Sequence, residues 1–136
     1  MLLGDRLALL MRITHVAIWV RDLEIMREFY TNVLGGVSGA RYQNAATGFS
    51  SYFVAFGDGP RLELMHKPGS GPSAGDTAGG YGHIALALGS RTAVDDTVAQ
   101  LRRQGVIIGS EPRVTGDGYY EAVVLDPEQN RVELTV

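Results

Sequence analysis

Short runs of alternating apolar and polar residues are punctuated by two longer stretches with helical spacing, and the series of segments occurs twice. Ile13 to Val20 alternates as a strand. Thr14, Val16, Ile18 and Val20 share one face, while Ile13, His15, Ala17 and Trp19 share the other. Asp22 then offers an N-cap, and Leu23, Met26, Tyr30, Val33 and Leu34 form one apolar helical stripe that Gly35-Gly36 stops. Val37 to Gln43 predicts an irregular strand. Phe49 to Phe56 predicts a firmer one, folded back by Gly57-Asp58-Gly59-Pro60 onto Arg61 to Met65.

After Lys67 to Gly80, a Pro/Gly/Ser/Ala/Thr-rich linker, the plan repeats. Tyr81 to Leu88 predicts a strand and Ser90 to Gln104 a helix, with Ala93 or Val94, Val98 and Leu101 inward and Gly105 as its stop. Val106 to Ile108 opens a further strand. Tyr119 to Leu125 and Arg131 to Val136 form a hairpin around Asp126-Pro127-Glu128-Gln129-Asn130. The expected fold is therefore α+β, with two βαβββ modules building a curved mixed sheet around a cup and the helices on its outer face. The chain reads as one domain, 1–136: a first module over 12–66, the linker over 67–80, a second module over 81–136, and an N-terminal extension over 1–11. A linker of that length reaches about 20 Å, enough for the modules to pack within one chain or across to a partner chain.

The repeat also carries chemistry. His15 opens one copy and Glu63 closes it; His83 and Glu133 do the same in the other. In all four strands the uniformly aliphatic face belongs under the helices, because burying it is favourable. The opposite face then carries His15, Glu63, His83 and Glu133, one from each strand. Two imidazoles and two carboxylates are borderline ligands suited to one divalent ion, nickel, zinc, cobalt, iron or manganese, with positions left for water or a substrate oxygen. Each residue taken singly reads as a solvated strand glutamate or a satisfied core histidine. The shared phase in a duplicated context favours the metal.

Composition narrows the class. Hydrophobic content of 45% and charged content of 20% are ordinary for a globular domain. A net charge of −3 argues against a nucleic-acid partner. No apolar run is long enough to span a bilayer. The apolar stretch of Met1 to Leu10 is broken by Asp5 and Arg6 and followed by Met11-Arg12, so it reads as a surface extension and not a signal peptide; Met11 is an alternative start. With no cysteine the chain suits a reducing compartment, and a cytoplasmic location is expected.

The duplicated plan, Tyr81-Gly82-His83-Ile84-Ala85-Leu86 and the closing Asp126-Pro127-Glu128-Gln129-Asn130-Arg131-Val132-Glu133-Leu134 resemble the vicinal oxygen chelate superfamily from about Arg12 to Val136. That group includes glyoxalase I, methylmalonyl-CoA epimerase, extradiol dioxygenases and bleomycin-binding proteins. The order His, Glu, His, Glu is similar to bacterial-type glyoxalase I and to some epimerases. The resemblance implies a metal-dependent lyase or isomerase acting on a small molecule, with lactoylglutathione lyase as the named candidate, and a homodimer. It implies that Glu133, and secondarily Glu63, removes the proton beside a metal-bound carbonyl to give an enediolate. The alternatives are another metalloenzyme on the same fold, an epimerase or a dioxygenase, and a binding protein without turnover.

Two positions depart from the pattern. Glutathione-dependent members place Arg and Asn where this chain has Trp19 and Lys67. Trp19 is a wall of the pocket or a core aromatic; Lys67 meets an anionic substrate or is a solvated lysine. Tyr119, Tyr120 and Glu121, in the family's mobile region, are candidates for lining the cup. His66 reads as a surface histidine or part of the rim.

Overall fold

The computed structural model describes residues 15–70, 83–115 and 118–136. They fall into two compact units, Met1–Ser70 and Gly71–Val136. The molecule is α+β, with one mixed sheet and one principal helix in each unit.

In the first unit the elements are β1 (His15–Trp19), α1 (Leu23–Glu28), β2 (Val37–Ser38), β3 (Tyr42–Asn44), β4 (Phe49–Ala55) and β5 (Arg61–His66). The sheet runs β1-β5-β4-β2, with β3 also on β4; β1 and β5 are parallel and the other pairs antiparallel. Asp22 caps α1 by accepting the Ile25 amide at 3.0 Å. The helix then widens into a π-turn over Phe29–Val33. Thr31 Oγ1 donates to the Arg27 carbonyl at 2.8 Å, taking up an acceptor one turn back and easing the wider winding. Gly35 closes the element at φ +80°, where a Cβ would be strained. A Cβ on Gly36 would meet Val54 Cγ1 at 2.5 Å, so the chain passes too close to β4 for any other residue. The expected irregular strand over Val37 to Gln43 is two short pieces, β2 and β3, that pair with opposite ends of β4.

The core of this unit is Leu23, Met26, Phe29 and Tyr30 packed on Tyr52, Val54, Leu62 and Leu64. Leu23, Met26, Tyr30, Leu62 and Leu64 follow the predicted faces, whereas Phe29 joins the core in place of Val33 and Leu34, which are only half-buried, because the π-turn shifts the helix face. Lys67–Ser70, the start of the expected linker, form a turn tied to the unit: Ser70 Oγ accepts the Lys67 amide at 3.0 Å and donates to the Val20 carbonyl at 2.9 Å. The rest of that linker, the extension over 1–11 and the first residues of both modules lie outside the described residues.

The second unit repeats the plan with β6 (Ile84–Ala87), α2 (Arg91–Arg103), β7 (Ile108–Val114), β8 (Tyr120–Leu125) and β9 (Arg131–Thr135). Its sheet order is β6-β9-β8-β7, again with the first and last strands parallel. Ser90 caps α2 by accepting the Ala93 amide at 3.1 Å. Val94, Val98 and Leu101 bury against Ala122, Val124, Val132 and Leu134. β7 runs well past Ile108, with register shifts on either side of Ser110 that break its alternation and hide it from periodicity. At the β8–β9 turn Asp126 is buried and accepts the Glu128 and Asn130 amides, both at 2.9 Å, and Asn130 Nδ2 at 2.8 Å. That turn fixes the hairpin register. Among the described residues no helix is long and apolar enough to cross a membrane.

Candidate metal and substrate site

Strand pairing decides which side chains share a face. In the first sheet Ala17 pairs with Glu63, and Glu63 with Phe53, so these three stand in one row on the face away from α1. His15, two residues before Ala17, lies diagonally across from Glu63. Its Nε2 is 3.8 Å from Glu63 Oε1, and its ring meets Phe53 edge-on at 5.3 Å. The Arg61 guanidinium lies over the other side of this cluster, 4.3 Å from the Phe53 centroid. Phe53 was not singled out from sequence, although its parity along β4 places it beside Glu63.

The second unit matches row for row. Ala85 pairs with Glu133, and Glu133 with Val123. His83 Nε2 is 3.2 Å from Glu133 Oε2. The imidazoles are 40% and 46% exposed and their glutamates 15% and 16%, so each pair presents its ring to solvent above a mostly covered carboxylate. Burial pushes the Glu133 carboxyl above the usual carboxylate range, and a hydrogen-bonded Glu121 adds to the rise; His83 and Arg131 oppose it. Glu121 is two residues before Val123, on the same face as Glu133, which is why the acids meet.

The other sequence candidates separate. Trp19 is 43% exposed on the His15 face, so it is not a core aromatic. Its ring meets Phe49 edge-on at 6.1 Å, and Lys67 Nζ sits 5.0 Å from its centroid. Tyr119 is 60% exposed just before β8. Tyr120 is paired with Val114 on the α2 side of the sheet: its hydroxyl donates to Asp95, Arg91 lies 4.8 Å from its ring, and the hydrogen bond to Asp95 raises its pKa. The pleat thus turns it away from Glu133. His66 likewise lies on the helix side of β5, its Nδ1 3.0 Å from the Val20 carbonyl and 3.1 Å from Ser70 Oγ.

The donor chemistry fits a divalent ion. Two ligands about 2.1 Å from one metal and at a right angle stand about 3 Å apart. The His83–Glu133 separation of 3.2 Å is already of that size, and the His15–Glu63 separation of 3.8 Å is somewhat wider. Among the described residues, however, no group of three or more His, Cys, Asp or Glu is placed so as to hold a metal ion. Each unit by itself supplies one imidazole and one carboxylate.

A family model, the Glyoxalase/Bleomycin resistance protein/Dioxygenase superfamily, matches residues 12–134. The chain belongs to this superfamily. Members of the superfamily generally use a divalent metal ion. The chain is 34% identical over 121 residues to the mitochondrial methylmalonyl-CoA epimerase of Bos taurus, covering 85% of this chain and 67% of that one. It is 32% identical over 127 residues to a probable lactoylglutathione lyase of Vibrio cholerae, covering 90% and 88%. Among solved structures, the trypanothione-dependent glyoxalase I of Leishmania major superposes with a TM-score of 0.75 at 30% identity, over 92% of this chain and 86% of that one. These relatives are lyases and epimerases, and the chain is an enzyme of the same superfamily.

Proposed function

We propose that the protein is a metal-dependent, glyoxalase I-like lyase or isomerase that takes a proton from the carbon beside a carbonyl of a small substrate and returns it to the neighbouring carbonyl carbon. The observation that carries this reading is the duplicated His–Glu pair, set diagonally about an alanine on the exposed face of each sheet. On this reading His15, Glu63, His83 and Glu133 act together on one ion, nickel, zinc, cobalt, iron or manganese, whichever copies of the units supply the two pairs. A homodimer in the cytoplasm is the expected assembly and place.

The bound ion supplies positive charge beside the substrate oxygen and so favours loss of the neighbouring proton. Glu133 is the group that takes that proton. Its burial and the adjacent Glu121 raise its affinity for a proton, which suits a carboxylate that must accept one from carbon and return it. Glu63, beside His15 and Phe53, serves chiefly to hold the ion. Trp19 and Tyr119 stand on exposed positions from which they contact substrate. A glyoxalase-type lyase acting on the hemithioacetal of a thiol is the specific activity proposed, lactoylglutathione lyase being its form when that thiol is glutathione. Trp19 and Lys67, where glutathione-dependent members place Arg and Asn, make another thiol the alternative.

A second reading, epimerisation beside a thioester carbonyl, is favoured by the 34% identity to methylmalonyl-CoA epimerase. It shares the proton removal and differs in returning a proton to the opposite face of the same carbon. Assaying metal-loaded protein with methylglyoxal, in the presence of glutathione or another thiol, and with methylmalonyl-CoA in deuterated water separates them. Turnover of the hemithioacetal, lost in Glu133→Gln, supports the lyase. Deuterium uptake from methylmalonyl-CoA alone supports the epimerase, and turnover untouched by Glu133→Gln contradicts both.

A further inference from the structure

The face of the first sheet carries more than its His–Glu pair. Beyond Glu63, toward the end of β5, Trp19, Phe49 and Tyr42 form a run of rings, with centroids 6.1 Å apart for Trp19–Phe49 and 6.0 Å for Phe49–Tyr42. Trp19 and Tyr42 are 43% and 55% exposed, an arrangement that leaves large apolar surface in water. At one end Lys67 holds its ammonium over the Trp19 ring at 5.0 Å. Its backbone is held for this by the Ser70 hydroxyl, itself bonded to the Val20 carbonyl at the end of β1. On the other side of Glu63, Arg61 lies over Phe53. Glu63 is therefore flanked along this face by two cations, each parked on an aromatic ring and neither in an ion pair among the described residues.

Rings that stand nearly perpendicular, 88° for Trp19 and Phe49, leave a corner that accepts a flat apolar group against one face and one edge. An ammonium at the lip of that corner adds one positive point charge without the paired donors of a guanidinium. We propose that Trp19, Phe49, Tyr42 and Lys67 form a specificity subsite for a planar apolar group that ends in a single anionic function, a carboxylate or a phosphate. The ring corner takes the flat body, and Lys67 takes the charge. Calling it a substrate subsite rests on the proton-transfer reading above; that the patch binds such a group does not.

Trp19 is the only tryptophan of the chain, so its fluorescence reads this corner alone. The experiment titrates metal-free, chelator-treated full-length protein with phenylacetate, phenyl phosphate and the uncharged phenylacetamide. Removing metal keeps coordination out of the signal. Saturable quenching by either anion is expected, with phenylacetamide weaker by about twofold to fivefold, the size of one exposed ionic contact. Whichever anion binds tighter identifies the function, carboxylate or phosphate. Lys67→Met should bring the anion down to the amide's level, and Lys67→Arg should retain most of the difference. Equal quenching by anions and amide, no change in Lys67→Met, or a signal that follows protein concentration without ligand overturns the subsite; the last assigns the patch to self-association. Activity without anion quenching sinks the subsite and leaves the enzyme, whereas anion quenching without activity does the reverse.

Discussion

Ala85 stands directly opposite Glu133 in the parallel pairing of β6 with β9. The first unit repeats the relationship with Ala17 and Glu63. A small side chain there leaves the imidazole two residues earlier free to lean across the strand toward the carboxylate. The alanine makes the pair; a larger residue would stand in the space the two ligands share.

Replacing Ala85 by Leu should therefore separate His83 from Glu133 without disturbing the aliphatic core on the other face. Metal affinity should fall by about tenfold or more, the cost of misplacing one ligand or its support, while far-ultraviolet circular dichroism and the urea midpoint stay close to the parent. Ala17→Leu should do the same to the first pair. Unchanged affinity in both variants counts against the pairs as ligands.

Glu121 and Glu133 define a pH dependence whose sign can be worked out. The folded pKa of Glu133 is raised, by desolvation first and by Glu121 after it. For such a carboxyl the favourable contribution is complete below the unfolded pKa and is lost as pH rises through the folded one. Metal-free protein should thus lose stability on going from the ordinary carboxylate range toward the raised value. Glu121→Gln removes the like charge and should flatten this loss, seen in urea midpoints across that window. Metal affinity should climb through the same window, because a ligand carboxylate must be deprotonated. Identical profiles for parent and variant would show that the two acids do not interact.

Tyr120→Phe deletes a hydroxyl that bonds Asp95 on the helix side of the sheet. The expected result is a urea midpoint close to the parent's, as for the loss of an exposed hydrogen bond, with kcat/KM essentially unchanged. A large fall in kcat/KM with normal stability would place Tyr120 at the substrate after all.

Asp126→Ala should be costlier, since it strips the acceptors from two half-buried turn amides and the Asn130 side chain. A loss of about 1–2 kcal/mol is expected, the scale of several hydrogen bonds to a charged group lost at a partly covered turn, measured by urea unfolding. Because this turn sets which residue of β8 faces Glu133, metal affinity should fall as well. A variant as stable as the parent would show that the hairpin register is fixed elsewhere.

Much of this was legible in the sequence because alternation and burial are local facts. The faces of β1, β5, β6 and β9 follow from which residues are aliphatic, and the parity that buries Leu62, Leu64, Val132 and Leu134 also sets Glu63 and Glu133 on the opposite face. The same parity rule, carried back from Val123, separates Glu121 from Tyr120, which adjacency along the chain had grouped together. What periodicity could not show lies where it breaks. The bulges of β7 spoil its alternation. The π-turn adds winding that lets both Phe29 and Tyr30 enter the core. The contact of Lys67 with Trp19 joins residues far apart in sequence, through a turn that composition alone read as linker.

The central claim is tested most directly by calorimetric titration of chelator-stripped protein with nickel and zinc, parent beside the paired variants His15→Ala/Glu63→Ala and His83→Ala/Glu133→Ala. The account predicts one tight divalent ion per chain in the parent and loss of tight binding in both variants. A parent that binds no ion, or either variant binding as tightly as the parent, would contradict it.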